Sequence, residues 1–257
     1  MENYLFRASS IGRLMTEPRS KSEGLSATAK DELVKIYLWK RYQRTEEISS
    51  KYMEKGNLVE AEAIDIWRRY RGLVVFKNQE TLKNEYCSGT PDLIVKNADG
   101  SVQCIPDIKS SWSLHTFTSS RMAALDKNYY WQGQVYCWLT GAPYAVFCFV
   151  LANAPLKLIQ DEKYKLARNM GLIDGSESLE YHKRCMAIER NMIYDLPAFL
   201  KEYPYANLDT PIDLWTHDIP VAERVHEIRV DFDPEAVEKI KEKAPLWRQY
   251  INDLWTR

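Results

Sequence analysis

Apolar residues recur along the chain in two periods, one helical and one alternating. Over residues 26–54 the spacing is helical: Leu33, Ile36, Tyr37 and Trp39 give a partly apolar face, Ser26 or Thr28 stands where a cap belongs, and Gly56 is placed to end the helix. A second helix is predicted over about 58–71, stopped by Gly72, and "LVVF" (73–76) reads as a buried strand. Two short apolar runs follow, 93–95 and 102–105, with the turn signal Asp99-Gly100 between them, so a hairpin is predicted. A long helix over about 120–139 ends at Gly141-Ala142-Pro143, and "YAVFCFVLA" (144–152) reads as a strongly apolar strand. The order helix, strands, helix, strand within 57–152 predicts an α/β sandwich. Beyond it, helices are predicted over 160–170 and 177–202. "RVHEIRVDF" (224–232) alternates like a strand, and the segment from Asp233 reads as a capped helix interrupted near Pro245. Trp215, Trp247 and Trp255 read as core or interface filler, and nothing in 153–257 names a chemistry.

The chain's 257 residues suffice for one large domain or two small ones. The expectation is a single domain over 1–257, with a core at about 57–152, a helical part at 1–56, and a strand and helices at 153–257. No apolar run reaches the length of a membrane span, and "MENYLFRASSIGRLM" lacks the apolar stretch of a secretory signal. Five scattered cysteines without a C-x-x-C pair read as free thiols in a reducing compartment, the cytosol, and argue against a zinc site. The net charge of −1 excludes a protein that clings to polyanions by bulk charge. Charge is unevenly spread: residues 1–56 hold 11 basic against 8 acidic side chains, and residues 150–257 hold 15 against 19. A local basic surface for nucleic acid is therefore permitted but not demanded.

The chemistry concentrates at "GTPDLIVKNADGSVQCIPDIKSS" (89–111). If Asp99-Gly100 forms a two-residue turn, cross-strand partners have positions summing to 199, which sets Asp92 opposite Asp107. Like charges directly opposite destabilise a sheet. A divalent cation relieves that repulsion, and two carboxylates so close suit a hard, oxygen-seeking ion such as Mg²⁺. Lys109, two residues after Asp107, points to the same face and can offset charge on a reacting phosphate. A longer loop within 97–101 would shift this register, and two unrelated acids at strand ends remain the plainer alternative. On the upstream helix, Glu60 shares a face with Ala63, Ile64 and Trp67, where an unpaired carboxylate is costly, whereas Glu62 falls on the solvated side. Gln132 and Tyr136 are i, i+4 neighbours on the downstream helix.

Taken together, a helix glutamate, "TPD" (90–92), "DIK" (107–109) and a Q-x-x-x-Y helix resemble the PD-(D/E)xK nuclease superfamily and its RecB-like branch. Within that branch the chain is most similar to the phage lambda exonuclease, or YqaJ-like viral recombinase, family. "RASSIGRLM" (7–15), "GNLVE" (56–60), "GTPD" (89–92), "DIK" and "QGQVYCWLTG" (132–141) fall in that family's order. The likeness covers roughly 5–152. Thr90 replaces the usual serine, Leu93 the usual glycine and Arg7 the usual threonine, and 155–220 has no counterpart.

The resemblance implies a restriction-endonuclease-like α/β core, a central mixed sheet flanked by helices, with added N- and C-terminal helices. It implies Mg²⁺ or Mn²⁺ held by Asp92, Asp107 and the Ile108 carbonyl, with Asp92 bridging to a second ion and Glu60 completing the site directly or through water. Lys109 would orient the attacking water, Gln132 would position that water or Lys109, and Tyr136 would support them. Arg7, Ser9 and Thr90 would hold the 5′-terminal phosphate of duplex DNA, as short hydroxyl residues near a helix N-terminus suit an anion. No cysteine precedes Glu60 and no C-terminal cysteine triad exists, so no iron–sulfur cluster is expected.

The implied activity is 5′→3′ digestion of linear double-stranded DNA by two-metal hydrolysis, leaving 3′ tails for recombination by strand annealing. Its setting would be the cytoplasm of a bacterium or phage-infected host, with no membrane association. The implied partners are DNA ends, a single-strand annealing protein and copies of the chain in a trimeric ring. Two alternatives stand: an endonuclease or repair nuclease on the same core, and a non-catalytic DNA-binding protein, against which speak the competent residues at Glu60, Asp92, Asp107 and Lys109.

Overall fold

The computed structural model of the chain describes residues 3–20, 23–44, 51–172, 178–202 and 218–256. From the N-terminus, β1 (Phe6–Arg7) leads directly into α1 (Ala8–Leu14). The helix α2 (Ala27–Tyr42) starts at Ser26, whose side chain accepts from the Ala29 amide, and ends at Gln43 in the left-handed region. Next come α3 (Lys51–Arg71), β2 (Leu82–Lys83), β3 (Cys87–Gly89), β4 (Val95–Lys96) and β5 (Val102–Ser110). They are followed by α4 (Leu114–Met122), α5 (Lys127–Thr140) and β6 (Tyr144–Val150), then α6 (Leu156–Asn169), α7 (Leu179–Met192) and α8 (Leu196–Glu202). The described chain closes with β7 (Val225–Asp231) and α9 (Pro234–Thr256).

The central sheet runs β4-β5-β6-β7, antiparallel at both ends and parallel between β5 and β6. A smaller sheet, β1-β3-β2, pairs Arg7 with Ser88. Side chains alternate across the central sheet with period two. Cys104, Ile108, Cys148 and Val150 pack with Val59, Ala63, Ile64 and Trp67 of α3. Ile105 and Ala145 pack on the other face with Val135 and Tyr136 of α5, and with residues of α1, α2 and α9. The architecture is therefore the expected mixed α/β sheet flanked by helices, with added helices at both ends.

Several expected boundaries differ. Residues 26–54 are not one helix, since α2 stops at Tyr42. Gly56 lies inside α3 rather than ending a helix. One interior glycine costs about 1 kcal/mol, less than the burial of Val59, Ala63 and Ile66 beyond it holds. Residues 120–139 divide into α4 and α5, because Ala123 turns extended and the Asp126 carboxylate caps a new start at the Asn128 amide. The predicted helix over 177–202 likewise breaks between Met192 and Leu196, and α9 runs unbroken through Pro245. There the fully buried Ile240, Ala244, Trp247 and Ile251 anchor both sides of the missing amide.

The clearest correction concerns "LVVF" (73–76), which pairs as a strand with nothing among the described residues. Leu73 and Val75 lean on the α3 cluster, while Val74 and Phe76 are 83 % and 78 % exposed. Of the three tryptophans singled out, Trp247 is core, Trp255 is partly exposed and Trp215 lies outside the described residues.

Candidate active site

The turn between the two acidic arms is not a two-residue one. Asn97 N–H donates to Ser101 O at 2.8 Å, Gly100 N–H returns to Asn97 O at 3.0 Å, and Gly100 sits at φ +85. These features describe a three-residue loop with a left-handed glycine, buttressed by the Asp99 carboxylate accepting from the Ser101 amide at 2.9 Å. The loop alone would offset the arms by one position. An irregularity between Val95 and Lys96 restores the register, so Val95 pairs with Cys104 and Leu93 N–H reaches Pro106 O at 3.3 Å. Asp92 and Asp107 stand next in that ladder, where the sequence set them.

The environment of each acid follows from its strand face. Asp107 and Lys109 share the face covered by α5, and Asp107 is 2 % exposed. Lys109 Nζ lies 2.5 Å from Asp107 Oδ2 and stands 4.9 Å from the Tyr129 ring centroid. Burial draws the Lys109 ammonium down, but the charge and contact of Asp107 outweigh it, so Lys109 is held protonated above its ordinary range. Gln132 Nε2 donates to Asp107 Oδ1 at 3.4 Å and to Tyr136 Oη at 2.9 Å. Gln132 therefore reaches the carboxylate rather than Lys109. Tyr136 Oη in turn donates to Thr90 O at 3.4 Å. Its ring fits because Gly89 has no side chain: a Cβ there would lie 2.8 Å from Tyr136 Cε1.

Asp92 Oδ2 accepts from the Ile108 amide at 2.7 Å. Its carboxyl is nevertheless pushed up to about 6, first by burial and then by the Asp107 charge, with the Ile108 amide and Lys109 only partly offsetting them. Asp107 Oδ2 is buried without an aligned hydrogen bond and lies against the Lys109 ammonium. Two adjacent carboxylates, of which Asp92 is pushed up by burial and by its neighbour's charge, are the donor set a hard divalent cation suits. Glu60 departs from expectation. It comes from α3, is only half-buried, and pairs with Lys77 Nζ. Its charge still reaches Asp92, but among the described residues no three acid, His or Cys side chains form a ready set of ligands. Glu62 is the slightly more exposed of the two, 39 % against 34 %, but it too has partners. It accepts from Asn153 Nδ2 at 2.7 Å and lies 3.8 Å from the buried Arg224 guanidinium.

Arg7, Ser9 and Thr90 meet on the wall of one cavity of about 380 Å³, together with Thr81, Ser88 and the Tyr136 ring. Thr81 and Thr90 hydroxyls are 2.8 Å apart. Arg7 makes no ion pair among the described residues. Thr81 and Ser88 were missed in the sequence, although Ser88 stands two residues before Thr90 and so was due on the same face of an extended strand. Through Tyr136 and Gln132 this cavity is joined to Asp107.

No protein family's sequence profile and no curated protein sequence matches the chain. Solved structures do. A phage-related exonuclease from Haemophilus somnus 129PT is 25 % identical with a TM-score of 0.70, covering 99 % of this chain and 96 % of its own. An alkaline exonuclease from Laribacter hongkongensis is 12 % identical with a TM-score of 0.57, covering 98 % and 90 %. The same enzyme in complex with dAMP gives 13 % and 0.55, covering 97 % and 88 %. The likeness of fold to these solved exonucleases covers 99 % and 98 % of this chain, so it reaches well beyond the motif-bearing residues 5–152.

Proposed function

We propose that this chain, which shares the fold of the lambda-type exonucleases, is a metal-dependent deoxyribonuclease that digests linear double-stranded DNA from its 5′ ends. One observation carries the reading: Asp92 and Asp107 lie side by side with Lys109 and Gln132, one tyrosine away from a hydroxyl-lined cavity whose arginine makes no ion pair among the described residues. The whole-length likeness to exonucleases supports it.

Mg²⁺ or Mn²⁺ would be held by Asp92, Asp107 and the Ile108 carbonyl, with Glu60 joining directly or through water. Such a cation would supply Lewis-acid polarisation of the phosphodiester and would lower the pKa of a nearby water so that hydroxide is available for attack. Lys109, kept protonated by Asp107, offsets negative charge that grows on the phosphate oxygens. Gln132 fixes the Asp107 carboxylate by donating to its Oδ1, and Tyr136 fixes Gln132. Arg7, Ser9 and Thr90, joined by Thr81 and Ser88, hold the terminal 5′-phosphate, and the distance of that pocket from the carboxylates sets which bond is cut. The product would be a 3′ single strand suited to an annealing partner, and a ring of copies would keep the enzyme on its track without a basic surface.

The test is digestion of one plasmid in Mg²⁺ as a closed circle, as a linear duplex with 5′-phosphates and as the same duplex with 5′-hydroxyls, with Lys109→Ala alongside. Loss of the phosphorylated linear form alone is expected. Cutting of the circle would establish an endonuclease instead, and absence of Lys109-dependent cleavage in every form would overturn the reading.

A further inference from the structure

The segment after α3 leaves its exposed apolar residues unpaired, yet its last two residues are fastened to the acidic arm of the hairpin. Lys77 forms a bridge with Leu93. Asn78 N–H donates to Asp92 O at 2.8 Å, and Asn78 Nδ2 donates to Pro91 O at 3.0 Å. The Asn78 side-chain oxygen also accepts from the Glu80 amide at 3.2 Å, which fixes the turn out of the segment. The backbone of Lys77 is thereby held against the strand that carries Asp92. Its ammonium pairs with Glu60 Oε2, and that is the one ion pair Glu60 makes among the described residues.

We infer that Lys77 is a positioning residue that occupies the Glu60 carboxylate while the site is free of ions, and that a divalent cation must take Glu60 from it. The inference rests on the nuclease reading. Its logic is electrostatic. Asp92, Asp107 and Glu60 place three negative charges around the hairpin, and Lys109 and Lys77 return two. Lys109 is committed to Asp107 on the α5 face, and on the α3 side Lys77 is the cation that pairs with Glu60 among the described residues. An ammonium and a divalent ion on one carboxylate repel each other, as Lys109 and the ion would on Asp107, but Lys77, 45 % exposed, can swing away into water where Lys109, 25 % exposed, is held in place. Completion of the ligand set by Glu60 therefore costs the Lys77 pair. With side chains 45 % and 34 % exposed, that pair is weak enough to exchange.

The experiment is calorimetric titration of Mn²⁺ into the intact protein and into Lys77→Gln, Lys77→Arg, Glu60→Gln and the Glu60→Gln/Lys77→Gln double variant. Lys77→Gln is expected to bind Mn²⁺ about two- to fivefold more tightly, the range of a partly exposed ion pair, and Lys77→Arg to keep the original affinity. Glu60→Gln should cost more affinity in the Lys77→Gln background than in the original one, because only there is the carboxylate free to ligate. A field effect of one positive charge would make the two costs equal, and equal costs overturn the inference. So does unchanged or weaker binding in Lys77→Gln when the original protein binds Mn²⁺. Absence of Mn²⁺ binding in the original protein, or binding that survives Asp107→Asn, would instead overturn the nuclease reading on which the inference stands.

Discussion

Asp92→Asn should make the ion-free protein more stable while removing the activity proposed for it. The Asp92 carboxyl moves from an ordinary 3.8 to about 6 on folding, chiefly through burial and the neighbouring Asp107 charge. A shift of that size corresponds to about 3 kcal/mol that the folded chain gives up when the group is ionised. The folded chain binds this proton more tightly than the unfolded one. The stability is therefore present in full below about 3.8 and is lost as pH rises through about 6. Asparagine carries no charge and can still accept from the Ile108 amide at the same position. Exchange of a charged acceptor for a neutral one costs about 1 kcal/mol. The net gain above the titration is therefore about 2 kcal/mol, or about 4–8 °C in Tm for a chain of this size. Thermal unfolding followed by circular dichroism in EDTA at about pH 8 and again at about pH 4.5 tests this. The gain should be present at the first and shrink toward zero at the second. Saturating Mg²⁺ should raise the Tm of the original protein and leave that of Asp92→Asn unmoved. If the variant melts at or below the original at the higher pH, or its advantage is the same at both, the electrostatic strain assigned to the hairpin is wrong.

Three further outcomes follow from the same geometry. Lys109→Ala should lower cleavage of linear duplex by at least about 10²-fold, with the far-ultraviolet spectrum checking that the fold survives loss of the partner of Asp107; activity within a few fold of the original would remove it from the mechanism. Ser88→Ala combined with Thr81→Val deletes two hydroxyls from the cavity of Arg7 and Thr90. The pair should narrow the preference for 5′-phosphorylated over 5′-hydroxyl ends by about tenfold, one to two hydrogen bonds' worth, in a direct competition of the two substrates. Lys55 is 1 % exposed, donates to Trp112 O at 2.9 Å, and has its pKa drawn down to about 7, first by burial. A lysine depressed on folding contributes stability that is full above its ordinary 10.5 and lost as pH falls through about 7. Lys55→Met should therefore raise stability by about 1–3 kcal/mol near neutral pH and progressively less toward pH 10, as denaturant titrations at several pH values would show.

How far the sequence could be read is clearest at the hairpin. The two-residue turn read from Asp99-Gly100 was wrong, and the loop with Gly100 at φ +85 would have shifted every pair by one. The shift at Val95 and Lys96 takes that error back. This is no accident of counting. A one-residue slip would turn Leu93 and Val95 away from the α3 cluster that buries them, so the apolar pattern governs register and the turn adapts. The placement of Asp92 beside Asp107 was legible for that reason. Helical periodicity likewise put Ala63, Ile64 and Trp67 of α3 against the sheet. It could not say where Glu60 would end, because periodicity gives a direction and not a partner. The partner, Lys77, follows directly on the run 73–76 that reads as a buried strand, and its place is held by the backbone and side chain of Asn78.

The same distinction separates the two halves of the site. Asp92, Ile108, Asp107 and Lys109 belong to one hairpin and Gln132 and Tyr136 to one helix turn, so their relations are local and their spacing carries information. The Arg7–Ser88–Thr90 cavity depends on β1 pairing in parallel with β3 across 80 residues of intervening chain, Arg7 opposite Ser88 at positions 7 and 88. No periodicity encodes that contact. Ser9 and Thr90 could be joined beforehand only through likeness to a family, and the two hydroxyls that likeness did not mark, Thr81 and Ser88, went unseen. A site assembled this way makes a specific demand of evolution. The metal role proposed for the hairpin acids would tolerate no exchange of charge, whereas the phosphate role proposed for the cavity would allow serine to trade for threonine, provided the β1–β3 pairing still brings a cation and several hydroxyls to one wall. The departure at Thr90 from the family's usual serine is of that second kind.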